Sequence, residues 1–180
     1  CLLYRDEEIT GKVLEVRPKV VAVDAPLALP KGRKSLEERN NIHLRQCDRE
    51  LLKMGIRFFP VTLGPMRKLT ERGIRLKKSL ERSGFEVIET YPGAAQDILG
   101  IPRKQAGLTK LRRGLEELGI EGLSGSMTGD ELDAVTCSFV GKKYLEEDFL
   151  AIGDPEEILM ILPKRKEHSY PNGLMPNHYL

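Results

Sequence analysis

Apolar strand-like runs that alternate with amphipathic helical stretches predict an α/β fold. Three observations carry this reading. Val20 to Val23 is a continuous run of β-branched and small apolar residues, a buried strand with both faces covered as in a parallel sheet. Phe85 to Thr90 reads as a second strand and Ile158 to Leu162 as a last one. Between them apolar residues recur at helical spacing, most clearly at Leu108, Leu111, Leu115 and Leu118. The 180 residues suit one domain with a proper core, expected over 1–163, with 164–180 as a C-terminal extension.

Taken in order, residues 6–17 read as a short helix with Ile9, Val13 and Val16 inward, ended by Pro18. The first strand closes at Asp24, before Ala25-Pro26, and a basic loop follows from Leu27 to Arg39. Ile42 to Met54 is expected to be helical and to stop at Gly55. A proline-punctuated connection, Phe58 to Pro65, leads to a helix over 66–82 with Gly84 as its stop. After the second strand, Tyr91-Pro92-Gly93 opens a short helix over 94–99. The leucine-spaced helix is capped by Gly119, and residues 121–129 form a glycine- and serine-rich loop. Thr128 and Glu131 have the spacing of a capping box for a helix running to about Tyr144.

Lys and Arg total 29 against 27 Asp and Glu, so a net charge of +2 does not by itself indicate a nucleic-acid partner. Composition excludes a disordered chain, a collagen and a disulfide scaffold, and no apolar run is long enough to span a bilayer. Cys1, Cys47 and Cys137 are widely spaced, with no C-x-x-C, which suits reduced thiols in a cytoplasmic protein. Scarce Asn and Gln beside abundant Lys, Arg and Glu lean toward a thermophile.

The acids are the informative residues. Asp24 ends an otherwise apolar strand, where a carboxylate requires a cation, a metal or hydrogen bonds. In open α/β sheets the carboxyl ends of the strands are where ligands sit. Glu89 stands at the end of the second strand. Asp130 and Asp133 lie one helical turn apart, and Asp133 shares its stripe with Cys137, Val140 and Tyr144, an apolar face. Carboxylates from two strand ends and a helix, gathered in one place, would form an all-oxygen site for Mg²⁺ or Mn²⁺. Two such ions can clamp the attacking and leaving oxygens of a phosphoryl displacement. Basic residues that could contact a phosphate backbone follow Asp24 closely: Lys31, Arg33, Lys34, Arg45 and Arg49. P-loop, G-x-G-x-x-G, G-x-S-x-G and H-E-x-x-H patterns are absent, and His43, His168 and His178 are scattered.

Five segments in consistent order carry a resemblance: Val-Val-Ala-Val-Asp-Ala-Pro-Leu (20–27), Cys-Asp-Arg-Glu-Leu (47–51), Ile-Glu-Thr-Tyr-Pro-Gly (88–93), Leu-Gly-Ile-Pro-Arg-Lys (99–104) and Asp-Glu-Leu-Asp-Ala-Val (130–135). Across roughly residues 10–163 the chain resembles an uncharacterised archaeal and bacterial family described as predicted nucleases of ribonuclease H-like fold. The resemblance implies a central mixed sheet with three antiparallel strands, followed by strands alternating with helices. It implies a fourth-strand role for Asp24 and a last-helix role for Asp133, with Asp130 beside it. The Asp-x-x-Asp-Ala spacing is similar to that of Holliday-junction resolvases. No Gly-Ile-Asp type of first strand precedes Cys1, so the first strand or strands, with their acid, are expected to be missing from these residues.

The leading expectation is a metal-dependent nuclease with Asp24, Glu89 and Asp133 catalytic and Asp24, Asp130 and Asp133 binding the ion. Two alternatives stay open: a non-catalytic nucleic-acid-binding protein on the same fold, and an actin-like ATP-dependent phosphotransferase. No membrane partner is expected, and a homo-oligomer stays open.

Overall fold

The computed structural model describes residues 2–164. Cys1, His168, His178 and the expected extension from 165 onward lie outside the described residues. The elements are α1 (Asp6–Val16), β1 (Val21–Val23), α2 (Gln46–Lys53), α3 (Gly64–Arg82), β2 (Val87–Glu89), α4 (Pro92–Leu99), a 3₁₀ turn (Lys104–Ala106), α5 (Leu108–Glu117), α6 (Gly129–Leu145), β3 (Phe149–Asp154) and β4 (Ile158–Pro163). The four strands form one open sheet in the order β1-β2-β4-β3. β1, β2 and β4 run parallel, and β3 pairs antiparallel with β4, Phe149 facing Pro163 and Asp154 facing Ile158. The fold is therefore mixed α/β. Among the described residues it holds one antiparallel pair and not the three antiparallel strands that the resemblance implies.

Strand alternation sends side chains to two faces. Val21, Val23 and Val87 pack with Leu76 and Leu80 of α3, and α1 adds Ile9 and Val13 to that layer. Ile88 and Ile161 pack against Val140 of α6, with Ala22 of β1 and Val20 just before that strand joining them. A further layer forms where Leu51 of α2 meets Met160, Leu162 and Ile152. The capping box at Thr128 is present: the Thr128 hydroxyl accepts the Glu131 N–H, and Glu131 reaches back to the Thr128 N–H. α3 comes so close to the segment after β1 that a Cβ on Gly73 would lie 2.7 Å from the Pro26 carbonyl oxygen. Glycine at that place lets a helix back the loop that carries Asp24.

Four expectations are corrected. Val16 points to solvent, 61% exposed, because α1 ends there and only Ile9 and Val13 reach the core. β1 lies at the sheet edge and is half-buried, so its faces are only partly covered. Residues 42–45 are not helical, because Arg45 is the N-cap of α2 and its backbone N–H is taken by Asp48. β3 was not expected as a strand. Only Ile152 of its six residues is buried, so the segment carries no clear apolar alternation.

Candidate active site

β1 and β2 are in register, Val23 opposite Glu89, and the Thr90 N–H donates to the Val23 carbonyl at 3.1 Å. Their carboxyl ends thus bring Asp24 and Glu89 to the same edge of the fold, the place where open sheets of this kind hold ligands. The two acids meet different fates there.

Glu89 is fully buried and bonded. Its Oε2 accepts the Leu27 N–H at 2.7 Å and Arg45 Nη1 at 2.7 Å. Arg45 in turn holds Asp48 with two bonds, Nη2 to Oδ1 at 2.8 Å and Nε to Oδ2 at 3.1 Å. Burial pushes the Glu89 carboxyl up, against the pull of Arg45. Burial also opposes the charge on Arg45, but the carboxylates of Glu89 and Asp48 more than offset it and move its pKa up. The arginine is therefore the permanent cation of a buried triad. Arg45 is corrected as an exposed phosphate contact, because its guanidinium is buried on two carboxylates, and Glu89 is bonded to the Leu27 N–H, three residues beyond Asp24.

Asp24 is exposed to solvent, yet it stands at the wall of a cavity. Loss of hydration raises its pKa to about 7, the charge of Asp133 adds to the rise, and Lys104 opposes it. Asp133 comes from α6, buried on one stripe with Cys137 and Val140 as the periodicity predicts. Gln96 of α4 donates to Asp133 Oδ1 at 2.9 Å, and Lys104 Nζ lies 2.8 Å from Asp133 Oδ2. The same ammonium is 2.8 Å from Oδ1 of Asp130, which is otherwise exposed to solvent. Cys137 is buried against this group, and burial together with the charges of Asp24 and Asp133 pushes its thiol well up, so it is a poor nucleophile.

Lys104 is the hinge of these charges. Removing it by Lys104→Met deletes the ammonium shared by Asp130 and Asp133 and lifts the brake on the Asp24 shift. The variant is expected to melt lower than the parent at pH 7–8, by about 1 kcal/mol. Thermal denaturation at that pH reads this directly.

Among the described residues no three His, Cys, Asp or Glu side chains gather closely enough to hold a metal ion on their own. What the strand and helix supply is a pair, Asp24 and Asp133: lost hydration raises the Asp24 pKa and the Asp133 charge adds to the rise. Mg²⁺ is commonly held by one or two carboxylates together with waters and substrate phosphates, so an oxygen pair fits a hard cation that substrate helps to bind.

The basic candidates divide by burial. Lys34 and Arg49 are exposed. Lys31 is exposed but paired with Asp154 and Glu156, the latter contact being the main reason its pKa is raised. Arg33 is buried and staples its own loop, donating to the Asn40 side chain and to the Ile42, Leu36 and Glu38 carbonyls. It too is corrected as a phosphate contact, because its guanidinium is spent on backbone. Asp48, Gln96, Thr90 and Lys104 were missed as members of the site. Asp48, Thr90 and Lys104 stand inside the quoted segments, which was the available signal.

Beside Asp24 opens a cavity of about 170 Å³, lined at its polar end by Arg45, Asp48, Glu89 and Thr90. Phe58, Phe59, Met66, Leu69 and Tyr91 form most of its apolar wall. Tyr91 is held by Arg103, which donates to its hydroxyl at 3.0 Å and lies over its ring. Gly93 makes room, since a Cβ there would meet the Tyr91 ring at 2.9 Å. Searches against family models, curated proteins and solved structures found no match to this chain.

Proposed function

We propose that this chain is a metal-dependent phosphodiesterase acting on nucleic acid, built on a ribonuclease H-like arrangement of strands and last helix. The observation that carries the reading is that Asp24, from the carboxyl end of a parallel strand, feels the charge of Asp133, from an apolar stripe of α6, whose carboxylate is bonded by Lys104. Both residues would hold the cation. Bound there, Mg²⁺ or Mn²⁺ would polarise a phosphodiester and acidify a water molecule.

The remaining work falls to the chain itself. Glu89 and Arg45 hold the loop after Asp24 in place through the Leu27 N–H. Gln96 fixes the Asp133 carboxylate. Lys104 offsets the negative charge of Asp130 and Asp133 and offers a donor toward a phosphate. Lys34 and Arg49 are exposed cations on the same stretch of chain, suited to salt-dependent backbone contacts.

The test is incubation of the protein with branched, single-stranded and hybrid substrates in Mg²⁺ or Mn²⁺. Cleavage that requires the cation and disappears in Asp24→Asn plus Asp133→Asn is expected. Cleavage that survives the double substitution overturns the residue assignment, and salt-dependent binding with no turnover in any cation overturns the enzyme.

A further inference from the structure

The cavity beside Asp24 is larger and more apolar than the handling of a phosphate requires. Its wall combines aromatic rings (Phe58, Phe59, Tyr91) with thioether and leucine side chains from α3 and β4 (Met66, Leu69, Met160). An apolar cavity of about 150 Å³ already takes up a benzene ring, and this one measures about 170 Å³. Phe59 is 68% exposed, an aromatic face with little covering it, and Leu69 nearby is also exposed.

A second observation concerns hydrogen bonding. Thr90 lines the cavity and is only 2% exposed, yet its Oγ1 has no partner among the described residues. A buried hydroxyl without a partner is costly in a settled fold. The chemistry missing from the cavity is therefore a flat apolar body with a polar edge. A nucleobase has both: a π-face for Phe59 and Tyr91, and ring nitrogens or exocyclic groups for the Thr90 hydroxyl.

We propose that this cavity binds one nucleobase of the strand, as a substrate subsite of the phosphodiesterase proposed above. The base enters unstacked, so the substrate is single-stranded or locally opened at the residue held there. Asp24 lines this cavity and is also one of the two carboxylates proposed to hold the cation, which puts the sugar-phosphate of a base bound there beside them.

Met66 and Met160 line the cavity and Met54 and Met127 do not, so methionine methyl groups labelled with ¹³C report on it selectively. The full chain is titrated, without divalent cation, with adenosine 5′-monophosphate, ribose 5-phosphate and indole. Adenosine 5′-monophosphate is expected to shift Met66 and Met160 and leave Met54 and Met127 in place, while ribose 5-phosphate shifts neither pair. Phe59→Ala, at an exposed position that does not hold the core, is expected to weaken the titration about tenfold. Thr90→Val, which keeps the shape and removes the hydroxyl, is expected to weaken adenosine 5′-monophosphate but not indole.

Equal shifts from ribose 5-phosphate, or indole binding that equals that of the nucleotide in the parent protein, overturn the base pocket. Asp24-dependent cleavage with silent Met66 and Met160 also overturns it, and leaves the phosphodiesterase standing. Base-dependent shifts in a protein that cleaves nothing support the pocket and count against the phosphodiesterase.

Discussion

Arg45→Met is expected to lower stability by about 3–5 kcal/mol, the cost of leaving a buried charge without its partner, and so to lower the melting temperature on the order of 10 °C. The reason lies in the arithmetic of the buried triad. Arg45 is the single cation between Glu89 and Asp48, all three almost fully buried. Methionine matches much of the arginine stem but leaves two carboxylates facing each other in a place that water hardly reaches. The fold can then protonate an acid, admit water or open the segment, and each route costs stability. Arg45→Met with Asp48→Asn and Glu89→Gln removes the charges together, and is expected to recover part of the loss. Chemical denaturation of the three proteins reads the result. A single Arg45→Met as stable as the parent would mean that the triad does not hold the loop after Asp24.

Asp24→Asn is expected to separate stability from function. The Asp24 pKa is raised from the ordinary carboxylate range to about 7, chiefly because the protein around it strips part of its hydration, although the side chain stays exposed. Between those values the folded chain binds a proton that the unfolded chain has released. Stability is thus full in acid and declines as pH rises toward 7. Asparagine cannot ionise, so the variant escapes that decline. It should melt higher than the parent at pH 7–8 and equally near pH 4. Because solvent reaches Asp24, the gain is discounted to about 1 kcal/mol, a few degrees in melting temperature. The same substitution is expected to cost cleavage about 10²–10⁴-fold. In the parent, at cation concentrations too low to saturate the site, activity should climb with pH up to about 7 as Asp24 ionises and can take the ion, and level off above it. A variant that cleaves normally and melts lower at neutral pH would make Asp24 a structural residue.

The parts of this fold that could be read from the chain are those in which burial imposes a pattern. β2 and β4 are rich in Val, Ile and Leu because they pair in the middle of the sheet, β1 brings Val-Ala-Val to its edge, and α6 declared its start through Thr128 and Glu131. β3 escaped notice because an outer strand with one buried residue has no period to show. At the site, Asp133 was legible from its apolar stripe. The role of Glu89 was not, since it depends on Arg45, which is distant in sequence and arrives on a different element. Lys104 looked like one basic residue in a charged stretch; only the folding of the 3₁₀ turn against α6 gives it two carboxylates. Phe58 and Phe59 read as part of a connection because a cavity wall assembled from several elements leaves no local signature.

The central claim is that Asp24 and Asp133 act as one anionic pair that a divalent cation neutralises. Its most direct test is ¹³C NMR titration of the Asp24 carboxyl with and without Mg²⁺, in the parent and in Asp133→Asn. An Asp24 that titrates at about 7 alone, drops when Mg²⁺ is added, and loses that response in Asp133→Asn is the predicted result. An Asp24 that titrates in the ordinary carboxylate range and ignores Mg²⁺ in both proteins would contradict it.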